Sequence, residues 1–259
     1  MAIVDVEGAP LEFDQSGSGP DLLLVHSLLT ESSVFVDLIP RLATRYRLTT
    51  INLPGYGGSV PRPFTTMAAY GDFIAQTMDA LALPKSTHVF GNGFGAFATL
   101  MFALAHGDRF DRLILADVNA GFPDEGKKPF GMLAERVSTQ GMSAVLDAAI
   151  ARMFPEPFIA ANPAIVADRK AKLGAADPAA FARACRALAA LDVKGEVGAI
   201  KNKTLVLCGG VDRTTPPELA RDLAERIPGA KYREIPGCGH CPMLETPAVL
   251  AEMMTTFLA

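Results

Sequence analysis

The chain has 259 residues, 49% of them hydrophobic and 20% charged, with a formal net charge of −4 and four cysteines. That composition supplies a sizeable core and excludes a disordered chain. No Lys/Arg block exceeds a pair such as Lys127–Lys128, so no nucleic-acid partner is expected. The longest apolar run, Phe94 to Ala105, is too short to span a bilayer, and no membrane partner is expected. The start, MAIVDVEG, carries acids where a signal peptide needs bases, and the cysteines form no disulfide framework. The expected location is the cytoplasm.

In chain order, short runs rich in strand formers are Ala2–Val6, Leu11–Gln15, Leu22–Val25, Arg47–Ile51, Thr87–Phe90, Leu113–Ala116, Thr204–Cys208 and Lys231–Ile235. The interior runs are almost wholly apolar, as strands covered on both faces require. Helical patterns fall between them at Thr66–Leu81, Gly95–His106, Pro217–Arg226 and Pro247–Leu258. Strands alternating with helices predict an α/β fold, with a mostly parallel eight-stranded sheet and helices on both faces.

The alternation stops between Gly121 and Val193. That block reads as helices alone: Ser143–Phe154, Pro163–Leu173 and Pro178–Leu191. The expected organisation is a core formed by residues 1–120 and 194–259, with residues 121–193 as an inserted helical lid. Such a block belongs over the carboxyl ends of the strands, where open α/β sheets bind ligands.

Three segments at strand ends carry chemistry. They are Val25-His26-Ser27-Leu28-Leu29, Phe90-Gly91-Asn92-Gly93-Phe94-Gly95, and the pair Gly210-Val211-Asp212-Arg213 with Gly237-Cys238-Gly239-His240. With these, the chain resembles the α/β-hydrolase superfamily over nearly its whole length. It is most similar to the 3-oxoadipate enol-lactone hydrolases and related capped carbon–carbon bond hydrolases. Leu53-Pro54-Gly55-Tyr56-Gly57-Gly58-Ser59 and the text of the helical block share in that similarity.

The resemblance implies a nucleophile on a strained strand-to-helix elbow, G-x-S-x-G, followed along the chain by an acid and then a His. Asp212 and His240 match the acid and the base. The nucleophile position is Gly93, which has no hydroxyl, so no acyl-enzyme can form there. The loop after the third strand also departs from the family: it reads His26-Ser27 where His-Gly is usual. The expected oxyanion donors are the backbone N–H groups of Leu28 and Phe94. Ser27, Asn92 and His26 stand beside the site as candidate substrate-binding residues, with His26 also able simply to order its loop.

Other readings of the same residues compete. Asp117 is an alternative acid. Gly91 to Ala96 also spells a dinucleotide fingerprint, with Asp117 about 20 residues further on. That fingerprint normally opens a fold, whereas four strands precede it here. Cys238-Gly239-His240-Cys241 spells a redox motif, but Pro242 follows at once and no thioredoxin-like unit surrounds it. Zinc binding there lacks a fourth ligand.

The expected protein is therefore a hydrolase of a small ester or lactone, with carbon–carbon cleavage a variant. Its nucleophile is lost to Gly93 either naturally or by an experimenter's hand. The alternatives are a lyase or proton-transfer enzyme, or a ligand-binding pseudo-hydrolase using the same pocket. The expected partner is a small molecule and no cofactor or metal is implied; oligomeric state is left open. A carboxylated substrate needs a cation, for which Arg136, Arg152, Arg183 and Arg186 are candidates. Restoring the hydroxyl by Gly93→Ser alone is expected to raise hydrolysis.

Overall fold

The computed structural model describes all residues, 1–259. Eight strands form one sheet: β1 (Ala2–Val6), β2 (Ala9–Gly17), β3 (Asp21–Val25), β4 (Arg47–Ile51), β5 (His88–Asn92), β6 (Leu113–Ala116), β7 (Thr204–Gly209) and β8 (Lys231–Ile235). Their order is β1-β2-β4-β3-β5-β6-β7-β8. β2 is antiparallel to both β1 and β4, and every later pairing is parallel. β3, β5, β6 and β7 are buried along their full lengths, which accounts for their apolar runs. The edge strand β8 alternates Lys231, Arg233 and Ile235 with Tyr232 and Glu234, and its charges blunt the exposed edge. The expected fold class is the one observed.

The helices are α1 (Ile39–Leu42), α2 (Met67–Ala80), α3 (Phe94–His106), α4 (Asp124–Gln140), α5 (Leu146–Met153), α6 (Glu156–Ala161), α7 (Pro163–Gly174), α8 (Pro178–Ala190), α9 (Pro217–Arg226), α10 (Pro242–Glu245) and α11 (Pro247–Leu258). Local chemistry sets several starts. The Thr66 hydroxyl accepts Ala69 N–H, 3.3 Å, and the Asp177 carboxylate accepts Ala180 N–H, 2.7 Å, ahead of Pro178 in the first turn. No helix is long and apolar enough to cross a membrane.

Two helices of the block between β6 and β7 escape the sequence pattern. α4 is charge-rich and carries Pro129, yet Phe130, Leu133, Ala134 and Val137 form a buried stripe at helical spacing. α6 reads as proline punctuation, but Pro157 occupies an early helical position, where the missing N–H costs nothing. The chain leaves and re-enters the sheet region at one pinch. Gly121 pairs antiparallel with Asp192, and Val193 N–H donates to Ala120 O, 2.7 Å.

The turn from β5 into α3 is tightly packed against neighbouring backbone. A Cβ on Gly95 would collide with the carbonyl oxygen of Val25, and one on Gly91 would meet the Gly95 backbone at 2.6 Å. These are backbone contacts with nowhere to yield. Gly95→Ala is therefore expected to destabilise the chain by about 3 kcal/mol or more, read as a lowered midpoint in urea unfolding. A change under about 1 kcal/mol would show that the elbow has slack.

Candidate active site

Gly93 sits at the apex of this turn with φ 51° and ψ −119°, outside the regions that L side chains favour. Its N–H is fixed to Ala116 O, 2.9 Å, and its carbonyl accepts Phe97 N–H to start α3. Phe94 N–H, the first of that helix, has no acceptor within the chain, and neither has Leu28 N–H in the loop after β3. The Tyr56 hydroxyl donates to Leu28 O, 2.7 Å, and so holds that loop.

The loops after β7 and β8 bring Asp212 and His240 together. His240 Nδ1 lies 2.8 Å from Asp212 Oδ2, and both residues are buried. Asp212 is locked by its own turn: Oδ1 accepts Thr214 N–H at 2.7 Å and Thr215 N–H at 3.2 Å. The Thr215 hydroxyl donates to Oδ2, 2.6 Å. Burial pushes the Asp212 carboxyl up, but the His240 ring and these donors outweigh it, and the group is held below its ordinary value. His240 N–H donates to Met153 O, 3.0 Å, which ties the loop to α5.

A small cavity opens on these groups. Ser27, Leu28, Gly93, Phe94 and His240 form its floor, and Phe130, Leu133, Arg152 and Leu188 of the helical block contribute wall residues. Among the four arginines considered from sequence, Arg152 alone lines it. Arg183 instead donates to Arg62 O, 3.0 Å, and Arg186 to the Ser138 hydroxyl, 3.3 Å. Arg136 is exposed on α4. The Arg152 guanidinium lies over the Phe130 ring, 5.4 Å from its centroid, and forms no ion pair. Burial lowers its pKa against the opposing charge of Asp212.

Two expected substrate-binding residues lie outside the cavity. His26 is buried with both ring nitrogens used: Nδ1 meets Ser27 O at 2.7 Å, and Nε2 accepts Leu53 N–H at 2.9 Å. It pins the loop after β3 to the segment following β4. Asn92 points behind the elbow, where its Nδ2 donates to Asp117 Oδ2, 2.8 Å, and to His240 O, 3.2 Å. Asp117, the alternative acid, is spent on Asn92 and on Gly209 N–H, 2.9 Å. Burial, followed by the charge of Asp212, raises it well above the carboxylate range. Cys238 and Cys241 are buried free thiols, whose pKa values burial raises, the opposite of an activated thiolate.

Sequence reasoning missed Glu245. Its two oxygens accept Gly239 N–H at 2.7 Å and Cys241 N–H at 3.0 Å, bracketing His240. Its signal was a carboxylate at the end of the short helix that follows the His loop.

The expectation for Gly93 needs correction in one respect. A Cβ built on Gly93 would clash with the Ser27 hydroxyl and stand 3.0 Å from Ser27 Cβ and 2.8 Å from His240 Nε2. The space beside His240 at residue 93 is bordered by the Ser27 side chain. Gly93→Ser alone must displace that hydroxyl.

A model of the alpha/beta hydrolase family matches residues 22–253. The chain belongs to this family, and the expected enzyme class, a hydrolase of α/β type, follows from membership. RutD of Caulobacter vibrioides, assigned as a carbamate hydrolase, is 27% identical over 266 residues, which cover 100% of this chain and 98% of RutD. The 3-oxoadipate enol-lactonase 1 of Acinetobacter baylyi is 24% identical over 260 residues, covering 100% of this chain and 96% of that one. The crystal structure of the enol-lactonase from Burkholderia xenovorans LB400 superposes with a TM-score of 0.92 at 26% identity, over 99% of both chains.

His26 supplies a pH test of this framework. Burial, partly opposed by the Ser27 carbonyl, lowers its pKa from 6.5 to about 4. The folded chain keeps it neutral across that window while the unfolded chain protonates it, so stability falls as pH drops from 6.5 towards 4. The expected slope is on the order of 1 kcal/mol per pH unit in denaturant unfolding. It should flatten in His26→Gln; an unchanged slope in that variant would refute the assignment.

Proposed function

We propose that the chain hydrolyses a small ester or lactone bearing a carboxylate, with His240 as the base and Asp212 orienting it. The observation that carries this reading is the 2.8 Å contact between Asp212 Oδ2 and His240 Nδ1, because it leaves Nε2 turned to the point beside Gly93. An oriented imidazole there has a use only if a neighbouring group loses a proton. Leu28 N–H and Phe94 N–H, both unpaired, are the proposed oxyanion donors. The positive end of α3 adds to the second.

Residues 121–193 act as the lid over core segments 1–120 and 194–259. Support comes from the wall residues Phe130, Leu133, Arg152 and Leu188, and from two bonds that tie the block to the acid and base loops. One is His240 N–H to Met153 O; the other is the Thr214 hydroxyl to Arg152 O, 2.9 Å. The substrate class rests on Arg152, a desolvated cation in the wall with no carboxylate of its own. Four free buried cysteines fit the reducing cytoplasm.

The absent elbow hydroxyl favours a second reading, in which the pocket binds such an acid without turning it over. Two variants decide. His240→Ala is expected to abolish turnover of carboxylated lactones and esters while leaving binding measurable by calorimetry. If it alters affinity and the parent shows no turnover, the binding reading holds. Arg152→Met is expected to lower kcat/KM for a carboxylated ester by about 10- to 100-fold, the worth of a charge-assisted hydrogen bond, and to change that for its neutral analogue by under about 3-fold. Equal losses on both esters would remove Arg152 from substrate recognition.

A further inference from the structure

The two departures from the family pattern occupy one point in space. Gly93 lacks a side chain; Ser27 has one where the pattern has none; and the first side-chain atom of residue 93 would clash with the Ser27 hydroxyl. That atom would also stand 2.8 Å from His240 Nε2, so the Ser27 hydroxyl and the imidazole flank the same point above Gly93. The hydroxyl makes no hydrogen bond within the chain: Ser27 N–H goes to the Thr30 hydroxyl, 3.1 Å, and Ser27 O accepts His26 Nδ1, but Oγ is unengaged and faces the cavity. Ser27 is also followed at once by Leu28 N–H, as residue 93 is followed by Phe94 N–H. Each of the two positions is thus followed at once by one of the two unpaired N–H groups.

We infer that Ser27 is the nucleophile, its hydroxyl transferred from the elbow to the loop after β3. The inference rests on the hydrolase reading of Asp212 and His240. In the first half-reaction His240 Nε2 takes the Ser27 hydroxyl proton as Oγ bonds to the carbonyl carbon. The bond from that carbon to the leaving oxygen then breaks, and His240 returns the proton to the departing alkoxide. In the second half-reaction water gives a proton to His240 and its oxygen bonds to the acyl carbon. The Oγ–carbon bond breaks, Oγ regains the proton, and the carboxylic acid leaves. No oxidant, metal or co-reactant is required.

The test is to locate a covalent adduct. The full chain is incubated with a 4-nitrophenyl alkylphosphonate, whose phosphorus bonds to a reactive hydroxyl as 4-nitrophenolate departs. Release is followed by absorbance and the label by peptide mass spectrometry. The expected result is one label on the peptide carrying Ser27 and a stoichiometric release of nitrophenolate. Both should fall at least 100-fold in Ser27→Ala and in His240→Ala, with melting temperatures near that of the parent. In the double variant Ser27→Gly/Gly93→Ser the label should appear at residue 93. Hydrolysis of 4-nitrophenyl acetate that needs His240 but changes under 3-fold in Ser27→Ala, with no label, would overturn the inference and make water the nucleophile, leaving the hydrolase reading intact. A label on any other residue would overturn it equally. No label and no His240-dependent turnover in the parent would sink both.

Discussion

There is room for one side chain beside His240 Nε2, and the molecule is arranged around that limit. Where β5 turns into α3, Gly91 and Gly95 are pressed against neighbouring backbone, and the Gly93 apex faces the loop after β3 at contact distance. A side chain at residue 93 meets the Ser27 hydroxyl and must push it aside, and a glycine at 27 would remove that conflict. The choice of residue at one loop is therefore a steric statement about the other.

The groups around this point are held by bonds that do not depend on a ligand. His26 fixes the loop after β3 to the stretch following β4, and Tyr56 clamps Leu28. Thr214 and Thr215 fix Asp212, and Glu245 brackets the His240 loop. The helical block takes part through Met153 O and Arg152 O, and through Arg169 and Lys172 of α7, which reach Glu31 at 3.3 and 3.7 Å. That preorganisation is what an acid–base pair needs if charge is to be stabilised without rearrangement. Arg152 shares this economy: its backbone carbonyl holds Thr214 while its guanidinium lines the pocket.

Much of this was legible in the sequence, for identifiable reasons. Buried strands such as Leu22–Val25 and Leu113–Ala116 announce themselves as apolar runs, and Asp212 and His240 each follow a strand in family order. What stayed hidden depended on distance across the fold. Nothing in the spacing of Ser27 and Gly93, 66 positions apart, says that they share one volume. His26 and Asn92 lie next to site residues in sequence yet point away from the cavity, because neighbours on a strand or its continuation face opposite sides. Among four arginines of equal standing, only the folded chain distinguishes Arg152. α4 was masked by its charges and by Pro129, although its buried stripe has helical spacing.

The central claim, that residues 27 and 93 compete for one space, is tested most directly by a double-mutant cycle on stability. Unfolding free energies would be measured for the parent, Ser27→Gly, Gly93→Ser and the double variant. The account predicts that Gly93→Ser costs about 2 kcal/mol or more through overpacking and backbone strain, and that adding Ser27→Gly recovers at least about 1 kcal/mol of it. Additive effects, with the double variant no better than the sum of the two single ones, would contradict it.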